Sequence, residues 1–473
     1  MGTINAAFGL MSQALDADQE ALNVVANNVA NANTPGYTEE KPDWQENQPI
    51  EINGVSYGQG VTETGATSQR DRVLQAQLDQ QQQLAASSSS RLTALDTLQA
   101  LFTPDSGSTS STAGDISSDL TGFFDSFSTL EGSPTNSSDR EAVLSSATTL
   151  AADISGAAAS LNSQRSALDQ EAAGVTSQVN SLTSSIAQLN QQIMSTSPNT
   201  DAGALEDQRQ EDISQLSQLI GINQITTEDN GLAITTTSGA VLVSGNSSYQ
   251  LTTGTVNGVT DFFLNNTDIT AQLATGGGSL GGYLTARDTD VPSALASLDQ
   301  LAYSISTEVN NLNNTGTDLN GDTGTTANPL YIFNQPTTVA GSALNMKVVM
   351  TDPSQIAAAG SGDGTGDSSN ALAIANLASQ TIVNGQTPAN YYSNFVSTLG
   401  ATVSSVQTEN TAQNAAVTQL QTQVDSLSGV NLNDEASSMT TLERSYQAAS
   451  QVFTMLNTVM ASALNLGEET AVS

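Results

Sequence analysis

The chain has 473 residues, a length for about three folding units. Charged residues make up only 12%, about half the usual share, and 47 acids face 10 bases, with no Cys and no His. A net charge of −37 argues against nucleic acid or an anionic membrane as a partner. The missing Cys and His exclude disulfides, thiolate or imidazole metal sites and His-based triads.

Met1–Leu10 holds no cationic region and no apolar run reaches 18 residues. Neither an ordinary secretory signal nor a membrane span is therefore expected. The first element is a heptad stripe of Ile4, Phe8, Met11, Leu15, Leu22, Val25 and Val29, interrupted at Asp18. It predicts an amphipathic helix about 45–50 Å long. Leu74–Phe102 gives a second, shorter helix, and Thr103–Asp115 is a polar, Gly- and Ser-rich loop.

Ser138 and Glu141 form a capping pair. From there an unbroken 3-4 spacing runs from Leu144 to Ile193 and stops before Ser197-Pro198-Asn199, which predicts one helix of about 85 Å. Asp201–Ile220 is helical, closed by Gly221. Between Ile222 and Leu284, short β-branched runs alternate with the turns Asp229-Asn230-Gly231, Ser238-Gly239 and Asn257-Gly258, a hairpin series. Val291–Leu312 reads as helix, Leu330–Met350 as a second β patch, and Gly360–Asp367 as an exposed loop. A further heptad run extends from Tyr392 to Leu427, with Asn410 and Gln413 inside its seam.

The last helix carries Leu432, Met439, Leu442, Tyr446, Ala449, Phe453, Leu456 and Met460 on one stripe, with Glu435 in register. Neither terminal stripe can bury itself alone, so the two are expected to pair with each other or with other copies. The expected fold is mainly α with minor β. It is an elongated coiled-coil rod with both termini paired at one end, β-hairpin elements and a small β-rich outer region. The expected partition has 1–36 and 432–473 as the inner helices and 37–72 as an extended linker. The long-helix middle comprises 73–220, 283–312 and 370–431, the hairpin element 221–282, and the reduced outer region 313–369.

The first helix ends in a string of Ala26, Asn27, Asn28, Val29, Ala30, Asn31, Ala32, Asn33, Thr34, Pro35, Gly36 and Tyr37. Asn and pre-proline Thr34 stop a helix, and Pro35-Gly36 turns the chain. The whole string closely resembles the N-terminal signature of the flagellar axial proteins of rod, hook and hook-associated type. Glu435 to Met460 resembles that family's C-terminal signature, with Tyr446, Ala448, Val452, Thr454 and Leu456 at its typical positions. The interior resembles the hook–filament junction members. It does so at Leu205 to Arg209, Leu280 to Asp288, Asp318 to Asp322, Asp352 to Ala359 and Gly366 to Ala373. One departure is a shortened stretch between Asp322 and Asp352, where longer members carry a large outer domain.

The resemblance implies structural work without catalysis or cofactors. It implies self-assembly into a ring through the terminal helices, contacts to the hook protein and to the third hook-associated protein, and a place outside the cell in the flagellum. It also implies largely unfolded export by the flagellar type III route, with an export chaperone bound at the C-terminal helix. Alternatives are a distal rod or hook-like protein and, in another class, a secreted acidic calcium-binding adhesin or protease. For that last reading, Asp105-Ser106-Gly107-Ser108 and Asp322-Thr323-Gly324-Thr325 match an aspartic-protease loop but follow no apolar strand. Asp318, Asn320 and Asp322 open like a calcium loop, yet the sixth position is Thr323 and the twelfth Pro329. Gly276-Gly277-Gly278 precedes no Gly-Lys-Ser/Thr and makes no phosphate loop. Trp44, the one Trp, is expected in a loop, packed between subunits or shells.

Overall fold

The computed structural model describes residues 2–34, 36–52, 55–102, 115–196, 202–228, 230–256 and 258–469. Most of the Thr103–Asp115 loop, the Asp105–Ser108 string, Ser197-Pro198-Asn199, Pro35, Asp229 and Asn257 lie outside these, as does the side chain of Ile4. In chain order, α1 (Gly2–Asn31) leads into β1 (Glu40–Glu46), β2 (Ile50–Ile52), β3 (Val55–Tyr57) and β4 (Val61–Ser68). Next come α2 (Arg72–Phe102), α3 (Ile116–Gly132), α4 (Ser137–Thr196) and α5 (Ala204–Leu219). A meander follows: β5 (Ile222–Thr226), β6 (Leu232–Thr236), β7 (Val241–Ser244) and β8 (Ser247–Ser248). Then come β9 (Leu251–Val256), β10 (Val259–Leu264) and β11 (Thr267–Asp268). The helices α6 (Thr270–Gly276), α7 (Gly278–Thr285), α8 (Val291–Thr315), α9 (Ser342–Asn345), α10 (Ser369–Asn376), α11 (Pro388–Ser428) and α12 (Leu432–Glu469) complete the order.

These elements form two compact units. One comprises Met1–Leu84, Gln178–Leu251 and Gln413–Ser473, the other Ala85–Ser177 and Thr252–Ala412. The helices α2, α4 and α11 contribute to both. The long run from Leu144 to Ile193 is one helix, as its spacing predicts. Its first turn, however, is closed by Asn136, whose Oδ1 accepts from Ser138 N at 2.9 Å, and not by Ser138. Asn410 in the α11 seam donates to Ser88 Oγ at 3.1 Å, and Gln413 accepts from Gln81, so both polar seam residues pair with α2.

The second unit holds an aromatic core. Phe123 meets Phe127 and Phe333 at ring-centroid distances of 5.5 Å, and Phe102 meets Phe395 edge-on at 4.9 Å. Glycines let α7 cross α2 here. A Cβ on Gly282 would overlap Ser90 Oγ and Ser87 O and lie 2.9 Å from Arg91 N. Buried Arg287 follows on a single π-helical turn and bonds Asp169 and Thr260 O, both at 2.6 Å, and Asp288 at 2.8 Å.

Two β expectations are corrected. The hairpin series ends at Asp268; Thr270–Gly276 and Gly278–Thr285 are helices, the second lying against α2 at Gly281 and Gly282. Leu330–Met350 forms no strand ladder, only a bridge between Phe333 and Val348. Asn side chains on α8 replace the missing strand neighbour. Asn310 Oδ1 accepts from Ile332 N and Phe333 N, both at 3.0 Å, and its Nδ2 donates to Phe333 O at 2.9 Å. Asn313 does the same for Leu330 O and Ala357 N. In the first unit, 37–72 is not a bare linker: β1 pairs with β4 and β2 with β3, both antiparallel.

Candidate functional site

The site is built where α1 ends. Helix α1 stops at Asn31, whose Oδ1 accepts from Thr34 Oγ1 at 3.2 Å. Gly36 takes a positive φ of 77°, which a side chain would resist, and Tyr37 N closes the turn on Thr34 O at 3.2 Å. The reversal brings β1 back along α1 and aims Tyr37 at Asn28.

Asn28 is the hub, 1% exposed and fully used. Its Nδ2 donates to Glu40 O at 2.8 Å and to Glu435 Oε1 on α12 at 2.9 Å. Its Oδ1 accepts from Tyr37 OH at 2.8 Å and from Glu40 N at 3.0 Å. One amide thus ties α1, the turn, β1 and the last helix, across 407 positions of sequence. Glu435 is 5% exposed, and burial pushes its carboxyl up despite the Asn28 bond. Burial, with Glu40, Asp207 and Glu435 nearby, also pushes the Tyr37 hydroxyl up.

Above the hub, α1 and α12 pack along their stripes. Phe8 and Phe453 stack with centroids 4.3 Å apart. Met11, Leu15 and Leu22 are half-buried, Val25 is buried, and Val29 is 39% exposed. On α12, Met439, Leu442, Ala449, Phe453, Leu456 and Met460 are half-buried, while Tyr446 and Leu432 are exposed. Asp18, the break in the stripe, is half-buried and its Oδ2 has no hydrogen-bond partner. A second apolar row of Val452, Met455 and Val459 stays exposed on α12.

The segment after the signature is clamped onto α5. Thr38 N donates to Asp207 Oδ2 at 3.1 Å, and Arg70 pairs with Asp207, Thr38 Oγ1 and Glu206 O. Arg209 reaches Asn190 Oδ1 at 2.9 Å and Asn230 O at 2.8 Å. The Leu205–Arg209 string is therefore a dock for the chain that follows the signature. Asp318 likewise organises a turn: its Oδ1 accepts from Asn320 N and Asp322 N, both at 2.8 Å. Asp322 and Thr323 are exposed at that turn. Among the described residues no group of His, Cys, Asp or Glu is placed to hold a metal ion.

Trp44 departs from its expected place in the chain. It stands on β1 and not in a loop, at a register shift between Asp43 and Trp44, and is 46% exposed. The shift leaves Thr64 of β4 without a register partner on β1. Asn47, beyond it, holds the hairpin on α1 by donating to Gln13 Oε1 at 3.1 Å.

Three family models match. Residues 106–327 match the helical domain of flagellar hook-associated protein FlgK, residues 11–38 the flagella basal body rod protein, and residues 421–466 the C-terminal region of the flagellar basal body rod FlgEFG proteins. The last two fall on the α1 signature and on α12 with its hub partner Glu435. Flagellar hook-associated protein 1 of Escherichia coli (strain K12) is 25% identical, over 96% of this chain and 98% of that one. The protein of the same name from Bacillus subtilis (strain 168) is 24% identical, over 96% of each. The solved flagellar hook junction protein of Burkholderia pseudomallei shares the fold. It does so with a TM-score of 0.63 and 19% identity, over 74% of this chain and 99% of that one. With helical interior, both terminal regions and nearly full length matched in one order, the chain is similar throughout to the flagellar hook-associated protein 1 family.

Proposed function

We propose that this chain works as the hook-associated proteins it resembles, as a structural, non-enzymatic part of the flagellum at the junction of hook and filament. The observation that carries the reading is the Asn28 hub, which joins the N-terminal signature to the C-terminal one and holds the terminal helices side by side. Copies assemble as a ring through the stripe of Phe8, Leu15, Leu22, Phe453 and Leu456, with the hook protein on one side and the third hook-associated protein on the other. Before assembly the chain leaves by the flagellar type III route, its C-terminal helix carried by an export chaperone. The exposed row of Val452, Met455 and Val459 is suited to such a partner. Among the described residues no helix is long and apolar enough to cross a membrane.

Immunogold labelling of purified hook–basal bodies tests the place: label is expected at the distal tip of the hook. Label at the rod, or a deletion strain whose filaments stay firmly attached, overturns the reading. Leu15→Asp tests the seam. Burying a large apolar side chain is worth about 1.5–3 kcal/mol, so a carboxylate there is expected to keep the protein out of the structure.

A further inference from the structure

A chain of net charge −37 has ten bases, and seven are engaged within its own fold. Five arginines form ion pairs. Arg140 holds the carbonyl of Pro134 at 2.9 Å, Lys41 sits 3.4 Å from Glu39, and Arg165 is half-buried on α4. Lys41 and Arg72 are exposed but ion-paired, which leaves two exposed cations outside any ion pair among the described residues, Lys347 in the second unit and Arg444 on α12 in the first.

The first unit also presents a groove suited to a cation. About 390 Å³ in volume, it opens between β1 and the start of α12. Val25 and Leu442 supply apolar surface, the Trp44 ring forms a wall, and Glu39, Glu40 and Glu435 carry three carboxylates against the single ammonium of Lys41. An aromatic face flanked by carboxylates over apolar surface matches a guanidinium on its methylene stem: the stem covers carbon, and the planar head stacks on indole and pairs with a carboxylate. Within one copy Arg444 is exposed and forms no ion pair among the described residues.

We propose that Arg444 of one copy seats in the Trp44 groove of a second copy, over the indole ring and against the Glu39 carboxylate. This rests on the reading that copies assemble through their terminal helices, and it names a polar contact that fixes their register. A head-to-tail contact of this kind repeats around a ring, because every copy carries both the base and the groove. Charge complementarity favours a second copy as the occupant: here an exposed base meets acid in a protein whose copies otherwise repel.

The test uses the full-length chain expressed in a strain lacking its own copy, with incorporation into purified hook–basal bodies as readout. Arg444→Glu and Glu39→Arg are each expected to lower incorporation at least tenfold. The two combined should return it to within twofold of the parent, since reversed charges meet again across the contact. Arg444→Gln removes the charge while keeping a polar side chain of similar helix propensity and is expected to lose at least fivefold, which covers any disturbance of the helix by glutamate. Lys347→Glu is expected to incorporate normally. The inference is overturned if Arg444→Glu and Arg444→Gln incorporate like the parent, if the double variant stays as low as the single ones, or if Lys347→Glu alone is lost. Absence of the parent chain itself from hook–basal bodies would sink the assembly reading instead, before any variant is compared.

Discussion

Asn28 does with one amide what four separate contacts would otherwise do. Truncation to Ala strands the Glu435 carboxylate in a site 5% exposed and leaves Glu40 N and Tyr37 OH without their acceptor. Stranding such groups costs about 1–3 kcal/mol each, so Asn28→Ala should release α12 from α1 and raise hydrogen exchange across Leu432–Leu442 by at least tenfold. Unchanged exchange there would remove Asn28 from its role. The sequence shows the signature and its helix stop at once, because Asn, Pro and Gly speak through local backbone preference. It cannot show the hub, because Glu435 is 407 positions away and only folding brings it near. Asp79 was equally hidden. It is 2% exposed, with Gln210 and Gln224 donating to it at 2.7 Å. Burial pushes its carboxyl up to about 6, although those amides, Gln75 and Arg70 pull the other way. The folded chain therefore keeps a proton that the unfolded chain releases near pH 4. Stability falls as pH rises from about 4 to about 6 and is level above. Asp79→Asn should abolish that slope and gain up to about 3 kcal/mol at pH 7, read from urea unfolding at pH 4.5 and 7. A slope that survives the substitution refutes the assignment.

Elements follow their periodicity wherever a stripe is long. α4 and α11 are legible because an uninterrupted 3-4 spacing leaves no competing period. Short segments are decided by what they touch. Leu280 to Thr285 contains two glycines and reads as the end of a hairpin series, yet it is helical because α7 crosses α2 at backbone distance. Leu330–Met350 has strand-like composition but finds Asn310 and Asn313 in place of a partner strand. No local pattern encodes either outcome. Gly282 tests the crossing. An added methyl meets Ser87 O and Arg91 N, which are backbone atoms and cannot swing aside. Gly282→Ala should then cost about 1–3 kcal/mol or more by overpacking, visible as a lower urea midpoint for Phe123–Phe127 and their neighbours. An unchanged midpoint would mean the helices can part without loss.

Across the whole chain, burial is distributed unevenly. The main apolar cluster runs through α2, α3, α4, α8, α10 and α11, with its aromatic centre at Phe123, Phe127 and Phe333. The terminal pair has little of this. α1 buries only Ala17, Ala21 and Val25 among its described apolar side chains, and on α12 Glu435 is the one buried residue among those described. Free energy of opening follows buried contact, so the two ends lie at the low end of the stability range while the aromatic core approaches the global value. The large negative charge acts in the same direction, since repulsion between acids is least compensated where least apolar surface is buried. In a solution of single copies, amides of residues 4–29 and 436–460 should exchange within seconds to minutes, and those of 143–161 and 298–309 only over hours. Incorporation into the flagellum should then slow the ends by several orders of magnitude, because a second surface covers each stripe. Strong protection of residues 4–29 in the single copy would show that the α1–α12 pair is complete by itself, and would remove the need for neighbours that the assembly reading supplies.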